Sequence, residues 1–131
     1  MTRTKHSYAE MAEALGVRWC AGVGECPKWH GSTGSVTEGT VHLAGRRPSL
    51  QATIAFLTLA ARVLDPSLDQ ETTMWRRAYR LAVAKRDLAR RVHVRLPRRV
   101  FDFERAHVLA GVAGLTNEVP LRKQAFDWAR R

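Results

Sequence analysis

The chain has 131 residues, 45% of them hydrophobic, and a formal net charge of +10. That length suits one domain, 1–131, able to bury about two-thirds of its unfolded surface. Its longest apolar run, near Leu50 to Ala61, is broken by Gln51, Thr53 and Thr58 and is too short to span a bilayer, which excludes a membrane-embedded role.

The opening stretch MTRTKHSYAEMAE lacks an apolar signal core, so a cytoplasmic protein is expected. Ser7–Glu10, SYAE, matches a capping box, and Tyr8, Met11, Ala12 and Leu15 then share one helical face up to Gly16. A first helix is therefore predicted over Tyr8–Leu15. VRWC, Val17–Cys20, is β-prone, and SVTEGTVHLAG alternates, with Val41 and Leu43 opposite Thr40 and His42. Val17–Cys20 and Thr40–Ala44 are predicted to pair in a small antiparallel sheet, with a further strand near Val36.

Ser49 caps a second predicted helix, Leu50–Leu64, which Asp65-Pro66 ends. Leu50, Ile54, Leu57, Ala61 and Leu64 make one apolar stripe, and Phe56, Leu59 and Val63 make another. A helix apolar on two stripes is a central one. A third helix runs from Leu68 or Thr73 to Val92, with Met74, Ala78, Leu81, Leu88 and Val92 toward the core. VHVRLP leaves it in extended form. Asp102 can cap a fourth helix near Phe103–Gly111, and Pro120 opens a fifth near Val119–Arg130. The expected fold is α+β: a small antiparallel sheet on a central apolar helix (1–48 and 49–97), completed by a helical tail (98–131).

Charge is unevenly spread. Residues 1–75 hold seven Lys/Arg and seven Asp/Glu, whereas residues 76–131 hold fifteen Lys/Arg and five Asp/Glu. Arg76, Arg77, Arg80, Arg91, Arg95, Arg98 and Arg99 form the densest part, a ridge suited to a phosphate backbone, an acidic protein surface or plain solvation.

Order and spacing carry a resemblance. EALGVRW, GTVHLAGR, ATIAFLTLAA and WRRAYRLAVAKRDLARRV follow one another as the corresponding segments do in the ImmA/IrrE metallopeptidase family, which this chain resembles along most of its length. The resemblance implies a minimal zincin-like fold. In that family two His one helical turn apart and a later Glu bind zinc, while the Glu beside the first His activates water. Carried over, those positions fall on Phe56, Leu57 (the water-activating Glu), Ala60 and, near the later Glu, Leu81. All four are apolar, so the resemblance implies a catalytically inactive relative, of phage, mobile-element or actinobacterial type, that acts by binding. Because active members act on helix-turn-helix repressors, it also implies such a repressor as partner.

Three other readings stay open. Cys20, Cys26, His30 and His42, spaced C-x5-C-x3-H-x11-H, could form a tetrahedral zinc site, against the reading as free thiols and surface histidines. The same Cys20, Cys26 and His42 are the only material for an unrecognised hydrolase. The Arg76–Arg99 surface offers a nucleic-acid-binding accessory protein. YAEMAEALGV and LAGVAGLTNEVPLRKQAFDW each resemble part of a helix-turn-helix, the first without a second helix and the second with its turn near Gly114–Asn117. No small-molecule substrate is evident.

Overall fold

The structure, a computed structural model, describes residues 7–20, 35–37, 39–43, 49–112 and 119–131. Helix α1 (Tyr8–Leu15) begins at a complete capping box: Ser7 N–H donates to Glu10 Oε1 at 2.9 Å, and Glu10 N–H donates to Ser7 Oγ at 3.1 Å. Gly16 ends it at φ 75°, a left-handed conformation that costs a residue without Cβ nothing.

Three short strands follow, β1 (Arg18–Cys20), β2 (Ser35–Thr37) and β3 (Thr40–His42), in the sheet order β1-β3-β2. β2 and β3 pair antiparallel across a turn containing Gly39 at φ 78°. The predicted antiparallel pairing of the first strand with Thr40–Ala44 is corrected: β1 runs parallel to β3, Trp19 opposite Val41 and Cys20 opposite His42. The reason is topological. The chain reverses between β1 and β2 and again at Gly39, and two reversals restore the original direction.

Helix α2 (Leu50–Leu64) starts where Ala52 N–H donates to Ser49 Oγ at 3.1 Å and stops at Asp65, before Pro66. A 3₁₀ segment, Pro66–Gln70, leads to helix α3 (Met74–Arg91). His93 closes α3 in the left-handed region at φ 58°, and Val94 N–H reaches back to the Ala89 carbonyl at 2.8 Å. A second 3₁₀ segment, Arg98–Phe101, runs directly into α4 (Asp102–Val112), so Asp102 is a helical residue and not a cap. Helix α5 (Val119–Arg130) completes the described chain. The architecture is α+β.

Two apolar clusters hold these elements. One gathers Tyr8, Met11 and Leu15 of α1, Val41 of β3, Phe56, Leu57 and Ala60 of α2, Leu88 and Ala89 of α3, and Val92 just after it. The other gathers Trp75 and Ala82 of α3, Phe101 with Val108 and Val112 of α4, and Ala125, Trp128 and Ala129 of α5. Full burial of each large apolar side chain contributes about 1.5–3 kcal/mol. Where α4 crosses α3, a Cβ on Gly111 would come within 2.9 Å of Trp75 Cγ and Cδ1, so the helices meet closely because this position has no side chain. Leu50 and Leu64, at the two ends of the predicted stripe on α2, lie exposed.

Candidate functional site

The central helix brings its carried-over positions into the first cluster. Phe56, Leu57 and Ala60 are each 0% exposed. The Phe56 ring stacks on Tyr8 with centroids 5.4 Å apart, and Tyr8 in turn tilts against Trp19 at 5.8 Å. Leu81 is half-buried against the same cluster. At interior packing density such a site holds no ion, and none of these side chains can ligate zinc or accept a proton.

Of the four Cys/His positions, Cys20 and His42 are cross-strand neighbours in the β1–β3 register. Cys26 and His30 lie outside the described residues, as does the turn near Gly114–Asn117. Among the described residues no group of three or more His, Cys, Asp or Glu is arranged to hold a metal ion. After Gly16 the chain enters β1, so α1 is followed by a strand and not by the second helix of a helix-turn-helix.

The arginine ridge divides in two. Its first half is bound by acidic residues of the segment before α3. Arg80 reaches Asp65 at 3.0 Å and Glu71 at 3.5 Å, Arg77 reaches Asp69 at 3.7 Å, and Arg76 reaches Glu71 at 3.9 Å. Arg62 of α2 joins at 2.8 Å from Asp69. Arg77 and Arg80, expected to belong to a phosphate-tracking ridge, thus share their charge with local carboxylates. Ser67 Oγ donates to Asp65 Oδ1 at 2.5 Å, and this bond, opposed by desolvation and helped by the Arg80 charge, holds the Asp65 carboxyl below its ordinary 3.8.

In the second half, Arg98 donates to the Arg131 carbonyl, as does Arg105 at 3.1 Å. Burial lowers the pKa of the Arg105 guanidinium, and the Arg98 charge adds to this. Arg91, Arg95 and Arg99 are exposed and have no carboxylate partner among the described residues. They lie at the C-terminal end of α3 and beyond it, where a helix macrodipole favours positive charge.

A feature not foreseen lies between α3 and α4. Lys85 Nζ donates to Glu104 Oε2 at 2.7 Å, and the two residues are only 4% and 7% exposed. Lys85 also sits 5.8 Å from the Phe101 ring centroid. Glu104 Oε1 is sealed from solvent and has no hydrogen-bond partner among the described residues, an omission that costs about 1–3 kcal/mol. Glu104 also lines an open pocket of about 120 Å³ together with Met74, Arg77, Leu81, Phe103 and His107. Met74, expected to face the core, is 59% exposed; it occupies the first turn of α3, at the mouth of this pocket. Phe103 is 69% exposed, with the His107 ring edge-on at 4.2 Å. The sequence signal was an aromatic and a His one turn apart on a helix whose hydrophobic pattern does not explain them.

No protein-family model matches this sequence, and no curated protein or solved structure is significantly similar to it. No helix among the described residues is long and apolar enough to cross a membrane.

Proposed function

We propose that this chain acts by binding and not by hydrolysing peptide bonds, on a minimal zincin-like framework related to the ImmA/IrrE peptidases. The observation that carries this reading is the complete burial of Phe56, Leu57 and Ala60, the three central-helix positions where the family places its two zinc-binding histidines and its water-activating glutamate. Apolar side chains there remove the cost of burying charged groups and leave nothing to polarise a peptide carbonyl. On this reading the partner is a helix-turn-helix repressor, which the chain holds or for which it competes with an active peptidase. The test incubates the purified chain with zinc and such a repressor. A stable complex with intact repressor is expected; repressor cleavage would overturn the reading.

The unpaired Arg91, Arg95 and Arg99 favour a second reading, a nucleic-acid-binding accessory protein. Binding through them would be largely independent of sequence and steeply salt-dependent. DNA binding at two salt concentrations tests it: Arg91→Ala/Arg95→Ala/Arg99→Ala should bind more weakly and with a shallower salt slope. An equal change in Arg76→Ala/Arg77→Ala, whose charges are already shared with Asp69 and Glu71, would remove the special role of the unpaired three.

A further inference from the structure

We propose that the face around the α3–α4 pocket is where two copies of this chain meet, each covering the other's pocket with its Phe103 ring. The contact is isologous, the same face on both copies. It goes beyond both readings above, since it needs neither a repressor nor a nucleic acid.

Three observations converge on a second copy as the occupant. First, the face carries both halves of a fit. Met74 and Phe103 are the two most exposed large hydrophobic side chains among the described residues, and both line the same pocket. Knob and hollow lie side by side, so a two-fold axis beside Phe103 sets each ring over the partner's hollow at once.

Second, the hollow suits a phenyl ring. It holds about 120 Å³ and is open on one side. A closed cavity of about 150 Å³ lined by apolar side chains accommodates benzene, so a ring entering part-way finds room here. Ala78 and Leu81 add apolar walls, and the Met74 thioether at the mouth favours contact with an incoming ring. Phe103 is itself steadied by the His107 ring at 4.2 Å, so it is presented in a set position.

Third, the charges that line the pocket are balanced within the chain. A net charge of +10 makes most faces of this protein repel their own copies. Here Arg77 faces Asp69 at 3.7 Å, and Glu104 is bound by Lys85 at 2.7 Å. An acidic segment or a nucleic acid gains little from such a face and is drawn instead to Arg91, Arg95 and Arg99. A neutral apolar surface fits, and a second copy supplies one. A standard stable interface covers about 800 Å² on each partner, more than two side chains and their rim provide. The dimer is therefore reversible, with dissociation in the micromolar range or above.

The experiment is sedimentation velocity of the full chain over a concentration series, at low and at high salt. A shift from monomer to dimer with concentration is expected. High salt should favour the dimer, because screening weakens the mutual repulsion of the two net charges. Phe103→Asp and Met74→Lys should each weaken dimerisation by at least about ten-fold. Phe126→Ala, at an exposed ring on α5, should leave it unchanged. The exposed positions let each variant fold, which circular dichroism verifies. A chain that stays monomeric up to millimolar concentration at both salts would overturn the proposal. So would a dimer that survives both substitutions, or one that weakens with salt, which would mark a charge-driven contact on another face. A monomeric chain that binds a repressor and loses it in Phe103→Asp would also overturn it, and would give the face to that partner.

Discussion

Tyr8 of the first helix lies flat against Phe56 of the central helix, ring planes 9° apart. The contact joins a helix at one end of the domain's first apolar cluster to the helix at its centre. Phe56→Ala should therefore destabilise the protein by about 3–5 kcal/mol, through lost burial and the cavity left between α1 and α2. Denaturant unfolding measures this, and an unchanged midpoint would mean that Phe56 is not a core residue. Phe56→His with Leu57→Glu should also destabilise, because it buries polar groups with no partners.

The Lys85–Glu104 pair should behave asymmetrically. Glu104→Ala leaves a buried ammonium without its counter-charge and should cost about 3–5 kcal/mol, whereas Lys85→Met with Glu104→Leu should be neutral or stabilising. A double-mutant cycle by chemical denaturation separates the two. If Glu104→Ala costs no more than a surface change, the pair is not buried in solution.

Gly111 should not tolerate a side chain. Gly111→Ala raises helix propensity by about 1 kcal/mol, yet its methyl group would press on the Trp75 side chain across the α3–α4 crossing. Overpacking of this kind costs about 1–3 kcal/mol, so a net loss of stability with altered Trp fluorescence is expected.

Acid should loosen the acidic clasp on α3. The Asp65 carboxyl titrates below 3.8 in the folded protein, so its contribution is complete above the unfolded value and is lost as pH falls through the folded one. Because the group is exposed, the effect is small. Asp65→Asn should be slightly less stable than the native chain at pH 7 and should show a flatter loss of stability below about pH 4. An identical acid profile in both proteins would place the sensitivity elsewhere.

Local signals made most helix limits readable. Ser7 with Glu10 and Gly16, Ser49 with Asp65-Pro66, and Pro120 mark the helices at Tyr8–Leu15, Leu50–Leu64 and Val119–Arg130 as they are found. Strand direction was not readable, because it depends on how many reversals precede the pairing. Periodicity alone places Met74 in the core, but a first-turn residue overhangs the end of its neighbours, and Met74 is exposed. Arg76, Arg77 and Arg80 looked free because Asp65, Asp69 and Glu71 lie on a different segment. Lys85 and Glu104 each look like surface charges in sequence, and only the approach of α3 to α4 makes them a buried pair. The α3–α4 pocket needs the same approach.

Helix α3 contributes to both apolar clusters, Trp75 and Ala82 to one and Leu88 and Ala89 to the other. The domain therefore opens in two separable ways. Either the sheet with α1 and α2 should detach, or α4 and α5 should, and in each case α3 keeps its packing against the other cluster. Backbone amides in the middle of α3 are released only when both openings happen together, so in deuterium exchange they should be the last to lose protection, while α5 and the strands exchange through independent sub-global events.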